Sequence, residues 1–185
     1  MRAYVISIGS ELIGGHLTDT NATFLAQELA AQGVELLHVI QVGDDLQRLT
    51  SVLATAAAEA DLVICTGGIG PTDDDLTREA ISALAGETPE IDEATVADIR
   101  QFFAQRGLEM PERNAKQAWV IPSVEVLANP IGTAPGWLAR GGYLLSEVSG
   151  RQAATASAVF ASCGLDVHVS SDDDLGATVV AGGRR

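Results

Sequence analysis

Short apolar runs alternate with longer amphipathic segments in the first half of the chain. Residues 4–8, residues 34–42 and a run that begins at Leu62 are rich in Val, Ile and Leu, and a glycine follows each of them. This pattern is typical of strands, and residues 4–8 indicate a buried first strand. Residues 22–32 and 45–59 lie between the runs and are rich in Ala and Leu, which favours helices. Strands separated by helices of this length predict right-handed crossovers and a parallel sheet covered on both faces.

The second half is less regular. The pattern predicts helices over residues 76–85 and 92–107, and a short helix over residues 110–118 with a proline in its first turn. A short strand at residues 124–127 follows, and residues 137–139 and 143–145 resemble an antiparallel hairpin. Beyond it come an Ala-rich helical run, a strand-like stretch at residues 165–169 and a Gly/Arg ending.

Composition and charge narrow the function classes. The chain has 185 residues, enough for one domain with a full core, and a formal net charge of −14. That charge argues against nucleic acid as a partner, because phosphate backbones are bound by clustered Lys and Arg. No apolar run is long enough to cross a bilayer, so we expect a soluble, cytoplasmic protein without a membrane partner. Cys65 and Cys163 are too few and too far apart for a disulfide framework or a zinc site.

The main candidate for chemistry is the glycine-rich turn after the run at Leu62. Gly67, Gly68 and Gly70 permit backbone angles and close ligand approach that a Cβ would block. The helix that follows offers unpaired N–H groups to an anion. Three consecutive carboxylates, Asp73 to Asp75, would repel a bare phosphate, so the pattern indicates a phosphate ligand bridged by Mg²⁺. The alternative is that these acids only cap the helix and favour its dipole.

A second polar loop, over residues 9–21, follows the first predicted strand. One of Thr20 and Asn21 is explained as the N-cap of the next helix, but this leaves Glu11 and Asp19 unexplained. Both polar loops follow parallel strands, whose carboxyl ends lie at the same sheet edge, so we expect the loops to converge on one crevice. Lys116 could contact a phosphate as a point charge or be an ordinary surface lysine. The Pro/Gly loop at residues 129–136 is, by itself, equally compatible with a plain connection.

Taken together, these segments resemble the N-terminal domain of the CinA family, within the molybdopterin-binding-like superfamily. The resemblance covers roughly residues 3–145. The matching motifs are Gly9-Ser10-Glu11-Leu12, Asp19-Thr20-Asn21, Val42-Gly43-Asp44, the stretch from Thr66 to Thr77, Met110-Pro111 with Asn114, Lys116 and Gln117, and the stretch from Asn129 to Gly136.

The resemblance implies an α/β fold, a three-layer α/β/α sandwich with a mostly parallel sheet and an antiparallel edge hairpin, assembled as a homo-oligomer. Related domains bind molybdopterin and transfer adenylate to it or insert molybdate. The CinA-like branch is instead associated with hydrolysis of the ADP-ribose diphosphate bond by means of a divalent cation, often together with potassium. We therefore expect a nucleotide or pterin ligand, with Mg²⁺ or a similar divalent cation as cofactor.

Two departures from the family pattern concern the C-terminal part. We assign residues 1–145 to the molybdopterin-binding-like domain and residues 146–185 to a divergent segment whose order is left open. The family continues after residue 145 with a Leu-Pro-Gly-Pro-Pro-like loop, and this chain has Ser146-Glu147-Val148-Ser149-Gly150 instead. The separate amidohydrolase domain of full-length CinA is expected to be absent.

The resulting hypothesis is a metal-dependent nucleotide diphosphate hydrolase of the ADP-ribose pyrophosphatase type. The alternatives are molybdopterin binding or adenylyl transfer in molybdenum cofactor biosynthesis, and a non-catalytic ligand-binding remnant. The catalytic candidates are Glu11, Asp19, Asp74 and Lys116, and the metal candidates are Asp73, Asp74 and Asp75. The phosphate- or nucleotide-binding candidates are Gly9, Ser10, Asn21, Thr66, Gly67, Gly68, Gly70, Thr72, Asn129, Gly132, Thr133 and Gly136.

Overall fold

A computed structural model describes residues 1–127, 129, 132–139, 147–148, 166–172 and 177–183. Its central sheet consists of β1 (Arg2–Ile8), β2 (Glu35–Val42) and β3 (Leu62–Thr66). The strands are parallel and lie in the order β2-β1-β3. The three strands predicted from the apolar runs are therefore present, each within two residues of its expected start.

In the described part of the chain, five α-helices connect or follow these strands: α1 (Ser10–Ile13), α2 (Thr20–Ala31), α3 (Leu46–Glu59), α4 (Thr77–Ala85) and α5 (Glu93–Ala104). A 3-10 helix covers Glu112–Ala118, where a short helix was predicted. Asp19, Asp45 and Asp92 cap α2, α3 and α5 by accepting a backbone N–H from the residue three positions further on. Helix α1 lies within the loop predicted after β1; its single turn is too short to produce a periodic pattern.

The core lies on both faces of the central sheet. Tyr4, Ile6 and Ile8 project from one face of β1 and pack with residues of α3 and α4, among them Leu49 and Ala80. Alternate residues of β1 project from the opposite face, which α2 covers through its contacts with β1 and β2. The helix, sheet and helix layers confirm the predicted α/β/α class.

Antiparallel pairing occurs outside this sheet. Strand β4 (Glu90–Ile91) pairs with β5 (Trp119–Val120), and β6 (Val124–Leu127) pairs with β7 (Gly136–Ala139). The predicted hairpin joined residues 137–139 to residues 143–145, which are outside the described residues; the partner that the structure gives to β7 is β6. The sequence pattern identified both strands but not their pairing, because pairing depends on where the intervening loop turns.

A third group of strands lies in the C-terminal part. Strand β10 (Ala177–Gly183) lies between β8 (Glu147–Val148) and β9 (Asp166–Asp172), antiparallel to both. The predicted strand at residues 165–169 corresponds to β9, whereas β10 was missed because its glycines resemble a polar tail. The predicted Ala-rich helical run falls outside the described residues, and the domain boundary at residue 145 stays a prediction. Within the described chain, no helix has the length and apolar character to span a membrane.

Candidate functional site

The first two polar loops lie side by side at the carboxyl edge of the central sheet. Ser7, near the end of β1, pairs in register with Thr66 at the end of β3. Asn21, at the start of α2, donates from Nδ2 to Thr66 Oγ1 at 3.1 Å and so links the first loop to the second. The structure thus brings Gly9, Ser10, Asn21 and Thr66 to the same edge as the glycine turn.

The glycines of the turn are required by its packing against the rest of the fold. Gly67 and Gly68 have φ values of 89° and 63°, which favour glycine. A Cβ on Gly67 would collide with the backbone carbonyl oxygen of Ile8, and one on Gly68 would collide with Thr77 Oγ1. Thr77 Oγ1 itself donates to the Gly67 carbonyl oxygen at 2.8 Å. The turn is therefore fixed between the end of β1 and the start of α4.

The three consecutive aspartates have different roles. Asp75 accepts hydrogen bonds from Gly70 N at 2.8 Å, Thr72 N at 2.8 Å and Thr72 Oγ1 at 2.6 Å. Asp73 and Asp74 are exposed. None of the three caps α4, because the N-cap position is Leu76 and has no side-chain cap. Side-chain capping of α4 therefore does not explain the acids: one of them braces the turn and the other two project from it.

The electrostatic surroundings keep Asp75 ionised. Burial raises the pKa of Asp75, but the hydrogen bonds from Thr72 and Gly70 and the charge of Lys116 outweigh burial, and the pKa is lowered below its usual value. An ionised Asp75 is the form that accepts all three hydrogen bonds. The turn therefore keeps its shape at neutral pH.

Lys116 reaches the turn from the 3-10 helix. Its Nζ donates to the Thr72 and Asp75 carbonyl oxygens at 2.7 Å and 2.8 Å and forms a 3.1 Å ion pair with Glu79 Oε1 on α4. The sequence pattern left Lys116 as either a phosphate contact or an ordinary surface lysine, and the structure brings its Nζ to the turn. Its partners are backbone oxygens of the turn and one carboxylate.

The loop after β1 is held mainly at its two ends. Ser10 N donates to Asp44 Oδ2 at 3.0 Å, and Asp44 N donates to Ser10 Oγ at 3.2 Å. At the other end, Asp19 accepts from Ala22 N at 2.8 Å and from Gln41 Nε2 at 3.2 Å. Glu11 is exposed, and its carboxylate occupies the space that a Cβ on Gly9 would take. Of these two catalytic candidates, Glu11 is the more accessible.

The acids at this edge fit a magnesium ion only if the ligand and water complete its coordination. Among the described residues, no three His, Cys, Asp or Glu side chains converge to form a metal cage. Asp73 and Asp74 nevertheless present two carboxylates to solvent beside the turn. Mg²⁺ typically uses one or two carboxylates together with waters and substrate phosphates, so this donor set is compatible with it.

The ligand-binding candidates after β6 contribute to a cleft beside α5. Asn129 Nδ2 donates to the Ala134 carbonyl oxygen at 2.8 Å, and Asn129 Oδ1 accepts from Gly132 N at 2.9 Å. Asn129, Gly132 and Thr133 line a cleft of 340 Å³ together with residues of α5 that include Phe102. Gly136 begins β7 and is buried.

A buried arginine next to the turn was not anticipated. Arg78 is fully buried; its Nη2 lies 3.5 Å from the Ile69 carbonyl oxygen, and its guanidinium carbon lies 4.9 Å from the centre of the Trp137 ring. The contact joins the glycine turn to β7. Burial lowers the pKa of Arg78, whereas Glu79 and Asp75 act in the opposite sense. An arginine in a helix is ordinarily expected at the surface, so no sequence signal marks it.

Comparison with known proteins agrees with this geometry. The fold defines an α/β domain of the molybdopterin-binding-like class, and residues 4–161 match the family model described as "Probable molybdopterin binding domain". A CinA-like protein of Thermomicrobium roseum is 61% identical over 151 residues, which cover 81% of this chain and 37% of the relative. One of Deinococcus radiodurans is 54% identical over 138 residues, covering 75% of this chain and 34% of the relative.

A solved structure of a related protein has a similar fold. The crystal structure of CinA from Thermoplasma acidophilum, a protein described as having unknown function, superposes with a TM-score of 0.71 at 32% identity; the match covers 78% of this chain and 88% of that chain. The chain therefore belongs to the CinA N-terminal branch of the molybdopterin-binding-like family, which confirms the resemblance seen in its motifs. It spans about a third of the length of the two curated relatives, at 37% and 34%.

Proposed function

We propose that this chain binds a small phosphate-bearing ligand between the first loop and the glycine turn, and that it hydrolyses a nucleotide diphosphate of the ADP-ribose type with a divalent cation. One observation carries the proposal. Asp75 braces the turn, whereas Asp73 and Asp74 remain exposed beside it and cap no helix. Two accessible carboxylates at the carboxyl edge of a parallel sheet support a cation that bridges to a phosphate.

The residues at the carboxyl edge of the sheet would have different chemical roles. Asp73 and Asp74 would hold the cation, which on binding would polarise a phosphoryl oxygen and neutralise developing charge. Asn21, Thr66 and the turn backbone would orient the phosphates. Hydrolysis adds the oxygen of water to one phosphorus and breaks the bridging phosphorus–oxygen bond, giving AMP and ribose 5-phosphate.

The proton released by the attacking water needs an acceptor within reach of the turn. We assign this role to Glu11, because the Asp19 carboxylate already accepts from Ala22 N and Gln41 Nε2. Glu11 is exposed and lies against Gly9, at the end of β1.

The test is incubation of the protein with ADP-ribose and a series of Mg²⁺, Mn²⁺, Ca²⁺ and chelator alone, with AMP measured by chromatography. AMP is expected only when a suitable cation is present, and Asp74→Asn should lower the rate at least tenfold because it removes charge while keeping shape. Glu90→Gln on β4 is the control, since Glu90 is exposed and lies outside both the turn and the cleft beside α5. Turnover with chelator alone would reject the mechanism, and no AMP with any cation would reject the hydrolase. Added potassium should raise the rate if a monovalent cation takes part.

The family description supports a second candidate, binding of a molybdopterin-type ligand. Adenylyl transfer to such a ligand rests on the motif resemblance alone. This candidate requires saturable binding of the pterin at the same edge. Competition between molybdopterin and ADP-ribose would place both ligands in one site. ADP-ribose binding without turnover would instead identify a non-catalytic ligand-binding domain.

The remaining parts of the hypothesis concern assembly and location. We propose a homo-oligomer, as the family resemblance implies, and a cytoplasmic location, where nucleotide ligands of this class occur. Light scattering of the purified chain measures the oligomeric state, and fractionation of the source cells measures the location. A monomer at micromolar concentration would contradict the first part of this proposal without affecting ligand binding.

A further inference from the structure

We propose that Lys116 is a positioning residue, which holds the glycine turn against α4 and does not itself contact the ligand. Lys116 makes its contacts with the turn and α4 in the protein without ligand. Its consequence for ligand binding rests on the function proposed above. The sequence pattern left two interpretations of Lys116, a phosphate contact or an ordinary surface lysine, and the geometry points to neither.

The argument begins with the donors of the ammonium group. A lysine side chain has three N–H donors and no acceptor. Lys116 Nζ has three partners: the Thr72 carbonyl oxygen at 2.7 Å, the Asp75 carbonyl oxygen at 2.8 Å and Glu79 Oε1 at 3.1 Å. A phosphate could therefore bind Nζ only if one of these contacts were broken.

Burial makes this arrangement more than a surface ion pair. The side chains of Lys116 and Glu79 are only 15% and 26% exposed, so solvent and salt screen their charges weakly. The second carboxylate oxygen, Glu79 Oε2, is buried without a hydrogen-bond partner. Loss of the lysine would leave a poorly compensated charge beside the turn. The partly buried Glu79 carboxylate is therefore stabilised only while Lys116 pairs with it.

The two carbonyl oxygens explain why this contact matters to the site. They belong to Thr72 and Asp75, which flank the exposed Asp73 and Asp74 in the chain. Lys116 holds the backbone on both sides of the two acids, while the Asp75 carboxylate holds Gly70 N and Thr72 N from inside the turn. One cation from a distant segment therefore sets the direction in which the candidate metal ligands project.

The test compares Lys116→Met with Arg113→Met in the full chain. Methionine keeps most of the apolar stem and removes the donors, and Arg113 is an exposed basic residue of the same 3-10 helix. Hydrogen exchange is measured without ligand by NMR, at the Gly70 and Thr72 amides. We expect at least tenfold faster exchange in Lys116→Met and no change in Arg113→Met. Unchanged exchange in a folded Lys116→Met protein would overturn the proposal.

A second variant separates positioning from direct contact and guards against misfolding. Glu79→Gln keeps the lysine but removes its ionic partner, so the positioning model expects faster exchange at the same two amides. It also expects weaker binding of ADP-ribose with Mg²⁺ in both Lys116→Met and Glu79→Gln, with partial recovery in Lys116→Arg. Loss of binding in Lys116→Met with unchanged exchange and unchanged binding in Glu79→Gln would identify a direct contact and reject positioning.

The two proposals fail in different ways. If the wild-type chain neither binds nor hydrolyses ADP-ribose, the proposed function is rejected, whereas the exchange rates still decide whether Lys116 holds the turn. If the wild-type chain is active and the exchange rates of the Lys116 and Glu79 variants do not change, only the positioning role is rejected.

Discussion

The two loops at the carboxyl edge of the sheet are built in different ways. The turn after β3 is fixed by side chains from several elements: Asp75 from within, Thr77 from α4 and Lys116 from the 3-10 helix. The loop after β1 is held mostly at its ends, and two of its apolar side chains, Ile13 and Leu17, are 58% and 60% exposed. The difference teaches that tertiary contacts preorganise one wall of the candidate site from several sides, whereas they hold the other wall only near its ends, through Asp44 and Gln41.

The largest change in stability is expected when one glycine is substituted in each loop. Gly67 and Gly15 both have positive φ, 89° and 69°, so alanine is disfavoured at both. A Cβ on Gly67 would also strike the Ile8 carbonyl oxygen, whereas one on Gly15 would meet nothing within 4 Å. Gly67→Ala should lower the free energy of unfolding by more than about 3 kcal/mol, and Gly15→Ala by about 1 kcal/mol.

Urea unfolding of the two glycine variants checks this prediction. Because the backbone strain is of the same kind at both positions, the difference between the variants reports the collision with β1. Equal losses of stability would show that the turn after β3 can move away from β1, which contradicts its description as a fixed wall.

A smaller effect is expected from the acids within the turn. Asp75→Ala removes an acceptor of three hydrogen bonds and should lower the free energy of unfolding by about 2 kcal/mol. Asp73→Ala changes an exposed side chain and should stay within about 0.5 kcal/mol of the wild type. Chemical unfolding measures both. If Asp73→Ala and Asp75→Ala lowered stability equally, the distinction between an acid that braces the turn and one that projects from it would be wrong.

The smallest effect is expected at the end of the first loop. Asp19→Ala removes the N-cap of α2 and should cost about 1 kcal/mol, as such caps typically do. Thr20→Ala, at the neighbouring exposed position, is the control and should change stability much less. Thermal unfolding followed by circular dichroism measures both variants. A loss in Asp19→Ala well above 2 kcal/mol would mean that the contact of Asp19 with Gln41 on β2 stabilises the protein more than the cap does.

The sequence pattern predicted the central part of the fold well and the C-terminal part poorly. Apolar runs and helix-forming segments are local, and they located β1, β2 and β3 together with α2 and α3 to within about two residues, because the residues that form each element are adjacent in the chain. Strand partners are decided between distant segments. The pairing of β7 with β6 and the presence of β10 therefore lay beyond a local pattern.

The candidate site shows the same division among its residues. Motif spacing identified Asn21, Thr66 and the glycine turn, which the structure brings together. It could not distinguish Asp75 from Asp73 and Asp74, since the three have the same chemistry and differ only in which one points back into the turn. No local sequence pattern indicated that Arg78 is buried, because its burial follows from the position of Trp137 on β7.

The sequence by itself determined the α/β class, the family and the loops that carry polar chemistry, because apolar periodicity and the turn chemistry of glycine and aspartate are encoded over a few adjacent residues. Only the tertiary structure decided what the individual charges do. Lys116 lies 44 residues from Thr72 in the chain, and folding alone brings its ammonium group to the backbone of the turn. Charge acts through distance and burial, so the role of each charged side chain is set by the assembled fold.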